Sequence, residues 1–397
     1  MLYDIFVDLY YFDTPVVFFL SELSNLAFCS ILLCILYYFR KLNFREFIFW
    51  NLGFLSIILL GITVVAPEMF PDSGSYLRCV RDLTDNFAFD ELNCQGSVEG
   101  DSKLFNFLNF KKTLPAIFFF LIPIPSIATS ISLAFINKIY LLALYIFIRS
   151  KLSDDRTKFY LLVLMFLPTL LLYSSTGLRD ILVMVVVATL LFTTIERKFV
   201  ISTIFLLLLA AIKPQNAAVM MVLYAGIFLF RSHKSFLHLV IFLMSCLIIG
   251  VSFQVEILYV VNYFRIGFLN ENGLLPLSGV VFEYQSFTAL IIDSPLAFLK
   301  GIFSPGFGFS ALNIIFFPES IFLIILFIWG ARYTDYFSES TNCLVFIVFY
   351  LGIVLNSIVV PNDATFLRYR FAFAYFLLFH LLLMVDKKRT RIKNNDL

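Results

Sequence analysis

From Pro15 to Val385 the chain is a succession of apolar runs broken by short polar connections. That feature leaves few options. About 20 apolar residues wound as an α-helix, at 1.5 Å each, cover the roughly 30 Å of hydrocarbon in a bilayer. Inside lipid a backbone must satisfy its own hydrogen bonds, so only helices and closed barrels can cross. Barrel strands are short and alternate in polarity, whereas these runs are continuous. Composition agrees. Of 397 residues, 61% are hydrophobic and 14% charged, too little charge to cover a soluble domain of this size. The expected fold class is all-α: a polytopic transmembrane helical protein, one integral membrane domain over residues 1–397.

The runs and their breaks predict eleven spans, at 15–39, 46–66, 126–148, 159–175, 180–195, 199–212, 216–230, 236–255, 316–331, 342–360 and 371–385. Basic residues orient them. Arg40, Lys41 and Arg45 follow the first run, and Arg149, Lys151, Arg156 and Lys158 the third. Arg197 and Lys198 follow the fifth, Arg231 and Lys234 the seventh, and Lys387, Lys388, Arg389, Arg391 and Lys393 the last. Every second connection is basic, and such connections stay in the cytoplasm. The expected topology is N-out, C-in. Met1 to Thr14 holds Asp4, Asp8 and Asp13 but no Lys or Arg, unlike the basic start of a cleaved signal peptide. The first run is therefore expected to act as an uncleaved anchor.

On this topology two long loops, about 67–125 and 256–315, are extracytoplasmic. Both mix Phe and Leu with Pro and Gly, as in "TLPAIFFFLIPIPSIA" and "SPLAFLKGIFSPGFGFS", as expected of segments at the bilayer surface. Cys79 and Cys94 share the first loop, where an oxidising compartment would allow a disulfide. Cys29, Cys34, Cys246 and Cys343 lie in apolar runs and read as packing residues. Reporter fusions between Cys79 and Cys94 and just after Arg197 should report opposite compartments. The same compartment for both would overturn the topology.

Charge where it is costly marks candidate function. In "SSTGLRDILVMVV" Arg179 and Asp180 stand side by side between two apolar runs, in an outward-facing turn. Lys213 in "AAIKPQNAAV" and Arg368 and Arg370 in "PNDATFLRYRFAF" occupy similar connections, where the orientation rule makes basic residues scarce. The adjacent runs are short, so these charges would sit at the floor of an outward-open cavity. Basic groups there suit an anion, above all phosphate, which an arginine fork matches bidentately. Snorkelling to lipid headgroups is the bland alternative. Arg368 and Arg370 are two apart, so on a helix they would point in different directions; only an extended segment would aim both at one ligand.

A carboxylate completes the set. "FPDSGSYLRCV" places Asp72 in a tight turn at the start of the first external loop, either as an acid near the reacting groups or as an ordinary turn cap. Asp180, Glu283 and Asp363 are weaker external acids. His233 and His238 fall on the cytoplasmic side and His380 within the last run, where it reads as a packed residue. An external general base must then be a carboxylate, unless the acceptor needs little deprotonation. Lys138 is an isolated charge within the third run. The sequence holds no glycine-rich phosphate loop, metal-ligand cluster, nucleophile elbow or nucleic-acid motif, so no metal site is expected.

The segments "PDSGSY" (71–76), "STGLRDILV" (175–183), "IKPQNA" (212–217), "LAFLKGIFSP" (296–305) and "LRYRFAF" (367–373), in this order and membrane placement, resemble the Wzy-type O-antigen and capsule polymerases, GT-C-like polytopic glycosyltransferases. The resemblance covers roughly residues 50–385. It implies an enzyme at the outer face of the bacterial inner membrane. Such an enzyme joins oligosaccharide repeat units carried on undecaprenyl diphosphate, with no soluble cofactor, with membrane lipid and a chain-length regulator protein as partners and no nucleic acid. Carried onto this chain, it makes Arg179, Lys213, Arg368 and Arg370 the diphosphate-binding set, and Asp72, Arg179 and Asp180 the catalytic candidates. The external histidine motif of the O-antigen ligases is missing, and two arginine-rich external loops described for some polymerases have no clear counterpart beyond Arg265 and Lys300. Two other readings stand beside it: a GT-C glycosyltransferase using a polyprenyl-phosphate sugar, and a non-enzymatic flippase for a lipid-linked oligosaccharide.

Overall fold

The computed structural model describes residues 15–63, 74, 76–77, 79–81, 83, 113–127, 129–229, 236–271, 284–303, 311–360 and 363–395. Every regular element among them is helical. In chain order they include α1 (Pro15–Tyr38), α2 (Phe44–Thr63), α3 (Ser130–Arg149), α4 (Asp155–Met165), α5 (Pro168–Ser174), α6 (Asp180–Ile195) and α7 (Phe199–Ile212). There follow α8 (Pro214–Leu229), α9 (Phe236–Ser252), α10 (Gln254–Glu271), α11 (Phe287–Phe303), α12 (Ala311–Thr334), α13 (Ser340–Val359) and α14 (Asp363–Asn395).

Polarity runs inside out. Val200, Leu207, Ile248 and Ile325 are 77%, 66%, 63% and 60% exposed, while Glu22, Lys138, Asp180, Lys213 and Arg370 are buried. Water would penalise that many bare aliphatic side chains; lipid tails do not. The chain is a membrane-embedded helical protein. Among the described residues, five helices are long and apolar enough to cross a bilayer, or seven if each of two bent pairs is one span. Helices α6, α7 and α8, with 16, 14 and 16 residues, are apolar but shorter.

The bent pairs are where the structure departs most from the sequence reading. The run expected at 159–175 is two helices, α4 and α5, at 58° to each other. Pro168 is the cause: it lacks an amide and its ring collides with the preceding turn, yet it suits the first position of a new helix, where it stands. The run at 236–255 turns by 75° and continues as α10, so the stretch 256–315 is helical over much of α10 and α11.

The chain divides into two compact units, residues 1–186 with 207–214, and residues 187–206 with 215–397. In the first, α1, α2 and α3 pack on one another around an aromatic core in which Trp50 meets Tyr145 and Phe54 stacks on Phe135. Polar clasps tie both ends of α3. At its start Thr129 and Ser132 form a capping box, and both hydroxyls donate to the buried Glu22 carboxylate of α1, at 2.8 and 2.7 Å. At its end Tyr145 and Arg149 each donate to Glu46 of α2 at 2.6 Å. Buried Cys79 is disulfide-bonded; Cys94, the expected partner, lies outside the described residues.

In the second unit α13 and α14 pack together, with α11 and α10 on α13 and α12 on α14. Gly352 permits that approach, because a Cβ there would lie 2.5 Å from the Phe373 ring.

Candidate functional site

The Arg179 turn is built from both sides. Proline opens α5, which ends at Ser174, and residues 175–179 reverse the chain before α6. Asn137, fully buried on α3, donates its side-chain amide to the Thr176 and Leu178 carbonyls at 2.6 and 2.8 Å. Its neighbour Lys138 donates to Ser174 Oγ, on the last residue of α5, at 2.6 Å. This is the partner the isolated lysine needed. The turn is therefore held by groups from another helix.

Arg179 precedes α6, and its carbonyl accepts the first helical bond, from Val183. Asp180 then sits in the first turn, where a helix dipole favours a carboxylate. Lys213 follows α7, whose end is set by Pro214. In the first unit these termini meet. Lys213 Nζ lies 3.4 Å from Asp180 Oδ1, both side chains 2% exposed, and Arg179 Nη1 donates to the Ile212 carbonyl at 3.5 Å. Two cations and one carboxylate leave the cluster at net +1. Lys213 and Asp180 are interior, whereas Arg179 is only half-buried. Arg179 is the most exposed member of the cluster.

The other basic candidates lie in the second unit. Arg370 is buried and donates to the Gly301 and Ile302 carbonyls at 3.2 and 2.8 Å and to Ser320 Oγ at 3.0 Å. It closes the C-terminal end of α11 and borders an apolar pocket of about 270 Å³ between Phe298, Leu323, Phe346 and Leu377. Arg265 donates to the Ile358 carbonyl near the end of α13, with its guanidinium 5.6 Å from the Tyr284 ring centre. Burial raises the Tyr284 hydroxyl pKa above its ordinary value, the nearby guanidinium opposing. Residues 368 and 370 both lie in helix α14, about 200° apart around its axis, so the helical alternative applies. The Arg368 side chain, Asp72 and Glu283 lie outside the described residues, as does the Asp363 side chain.

A common local role links three arginines. Arg179, Arg265 and Arg370 each donate to a carbonyl in the last turn of a helix, where the backbone has acceptors to spare and negative partial charge. For Arg265 and Arg370 the contacts are close and account for the side chain. For Arg179 the bond to the Ile212 carbonyl is long, at 3.5 Å, and the residue is only half-buried. No metal-ligand group of three His, Cys, Asp or Glu occurs among the described residues. Compared with protein families, curated proteins and solved structures, the chain matches none.

Proposed function

We propose that the protein is a glycosyltransferase that joins undecaprenyl-diphosphate-linked oligosaccharide repeat units at the outer face of the bacterial inner membrane, in O-antigen or capsule synthesis. The observation that carries this reading is the half-buried Arg179 guanidinium, backed by the buried Lys213–Asp180 pair. The acceptor hydroxyl attacks the anomeric carbon of the donor, the bond from that carbon to the diphosphate oxygen breaks, and undecaprenyl diphosphate leaves. Charge accumulates on the departing diphosphate, and preorganised cations aimed there are the largest lever an enzyme has. Arg179 supplies the planar fork, while Asp180 and Lys213 fix its position. Asp72 takes the acceptor proton, and a chain-length regulator would set the product size. The disulfide at Cys79 supports an extracytoplasmic first loop, since such bonds persist in oxidising compartments.

The two bent helix pairs favour a second reading, a flippase for the same lipid, because transporters bind substrate at broken helices. Against it, the breaks at 166–167 and 253 carry no charged residue. Protein reconstituted into vesicles with lipid-linked repeat units from cells lacking it should release one undecaprenyl diphosphate for each new linkage. Repeat units crossing the bilayer unjoined would establish the flippase instead.

A further inference from the structure

We infer that the second unit holds one acyl chain of an anionic phospholipid in the pocket between α11, α12, α13 and α14. The pocket measures about 270 Å³, just below the ~300–1,000 Å³ of sites that take whole small molecules. It has room for a single chain.

Its walls decide what can enter. Of its lining residues only Ser320 and Arg370 are polar, and both are engaged with the protein. Arg370 donates to Ser320 Oγ and to the Gly301 and Ile302 carbonyls, and Ser320 donates to the Phe316 carbonyl. A buried water needs about 2–4 polar partners, whereas an apolar cavity of about 150 Å³ stays dry yet takes in benzene. Left empty, the pocket would forfeit the dispersion contacts of a close-packed interior. Hydrocarbon is the filling that suits these walls, and around a membrane-embedded chain lipid supplies it.

The pocket also has a direction. Its lining runs along α12 from Ser320 to Phe327 and along α14 from Arg370 to Leu378, about 10–12 Å at 1.5 Å per residue. Both polar residues stand at one end, where Arg370 meets the last turn of α11. From there the walls are apolar to the other end. A lipid has the same polarity, with its head at the Arg370 end and a chain laid parallel to the helices.

The chain has a way in and a reason to carry a negative head. Leu299 and Phe303 of α11 line the pocket and are 52% and 43% exposed, so it reaches the outer surface there. Lys300 is exposed between them. Arg370 is offset by the buried carboxylate of Glu319, which adjoins Ser320 and accepts from Tyr375 at 3.3 Å. Lys300 therefore leaves this end at net +1, which an anionic headgroup complements. This inference does not rest on the glycosyltransferase reading.

Helix α14 gives the test its contrast. It is the most enclosed of the five long apolar helices, 83% buried over its apolar stretch. Ala374, a pocket residue, keeps partial exposure between buried Phe373 and Tyr375. The full chain is placed in phosphatidylcholine nanodiscs with a little phosphatidylglycerol bearing a photoactivatable diazirine in one acyl chain. Adducts formed on irradiation are mapped by peptide mass spectrometry. Wild type should be labelled within Ala374–Leu378 as well as at lipid-facing Ile325. Ala374→Phe fills the pocket at mid-length and should lose the α14 adducts while keeping those at Ile325, which report an intact fold. A phosphatidylcholine probe with the same diazirine should label α14 about fivefold less, the weight of one lysine beside an anionic headgroup. Lys300→Gln, an exposed change, should abolish that preference. The proposal is overturned by wild type without α14 adducts, or by undiminished α14 adducts in Ala374→Phe. Equal labelling by the two probes, or a preference that survives Lys300→Gln, overturns it as well.

Discussion

Lys213→Met should destabilise the first unit by about 3–5 kcal/mol, the usual cost of removing one partner from a buried ion pair. Asp180 is 2% exposed, so the orphaned carboxylate would have no water to turn to. Adding Asp180→Asn should recover most of the loss, because the uncompensated charge disappears with it. The 3.4 Å separation is looser than the 2.7–2.9 Å or so of a tight charge-assisted bond, which places the loss nearer the lower figure. Unfolding of the two variants in one detergent, side by side, reads the difference. Were water to reach the pair, each change would cost about 1 kcal/mol or less, and the double variant would recover nothing.

Arg179→Ala should leave surface polysaccharide at single-repeat length while the protein still inserts normally. The residue is half-buried and its bond to the Ile212 carbonyl is long, and the comparison is made at membrane protein levels matched to wild type. Deleting one preorganised donor to developing negative charge typically slows a reaction about 10²–10³-fold, enough to prevent visible chain extension. Lys213→Met with Asp180→Asn should extend chains poorly for a different reason: Arg179 remains but its supports have changed. Comparing the two separates contact with the ligand from positioning.

Much of the fold was legible because apolar runs and their breaks are local properties of a chain in lipid. The helices that begin at Asp180, Phe199 and Pro214 start within two residues of the expected runs, since charged turns and proline punctuate them. Pro168 was equally visible, yet an apolar stretch masks a break when its two halves are both apolar. The helical nature of α10 and α11 was hidden by the prolines and glycines around them. At the candidate site, the adjacency of Arg179 and Asp180 could be read directly. The ion pair with Lys213, 33 residues away, could not, because it depends on how α6 and α7 return. Glu22 escaped notice altogether: its partners Thr129 and Ser132 are more than 100 residues distant, and a lone acid in an apolar run gives no direction. Asn137, which holds the turn ahead of Arg179, adjoins Lys138, and two polar residues inside one apolar run were the signal for it.

Arg179→Lys puts the central claim at most direct risk. Lysine keeps the charge but replaces a planar fork with a point, so a group that grips a diphosphate should be impaired by it. A headgroup anchor would be served equally well by either residue. The quantity to measure is long-chain product in Arg179→Lys and wild type at matched membrane protein levels. The diphosphate role predicts a strong loss of long chains. Equal product would contradict it and leave Arg179 as an anchor at the membrane interface.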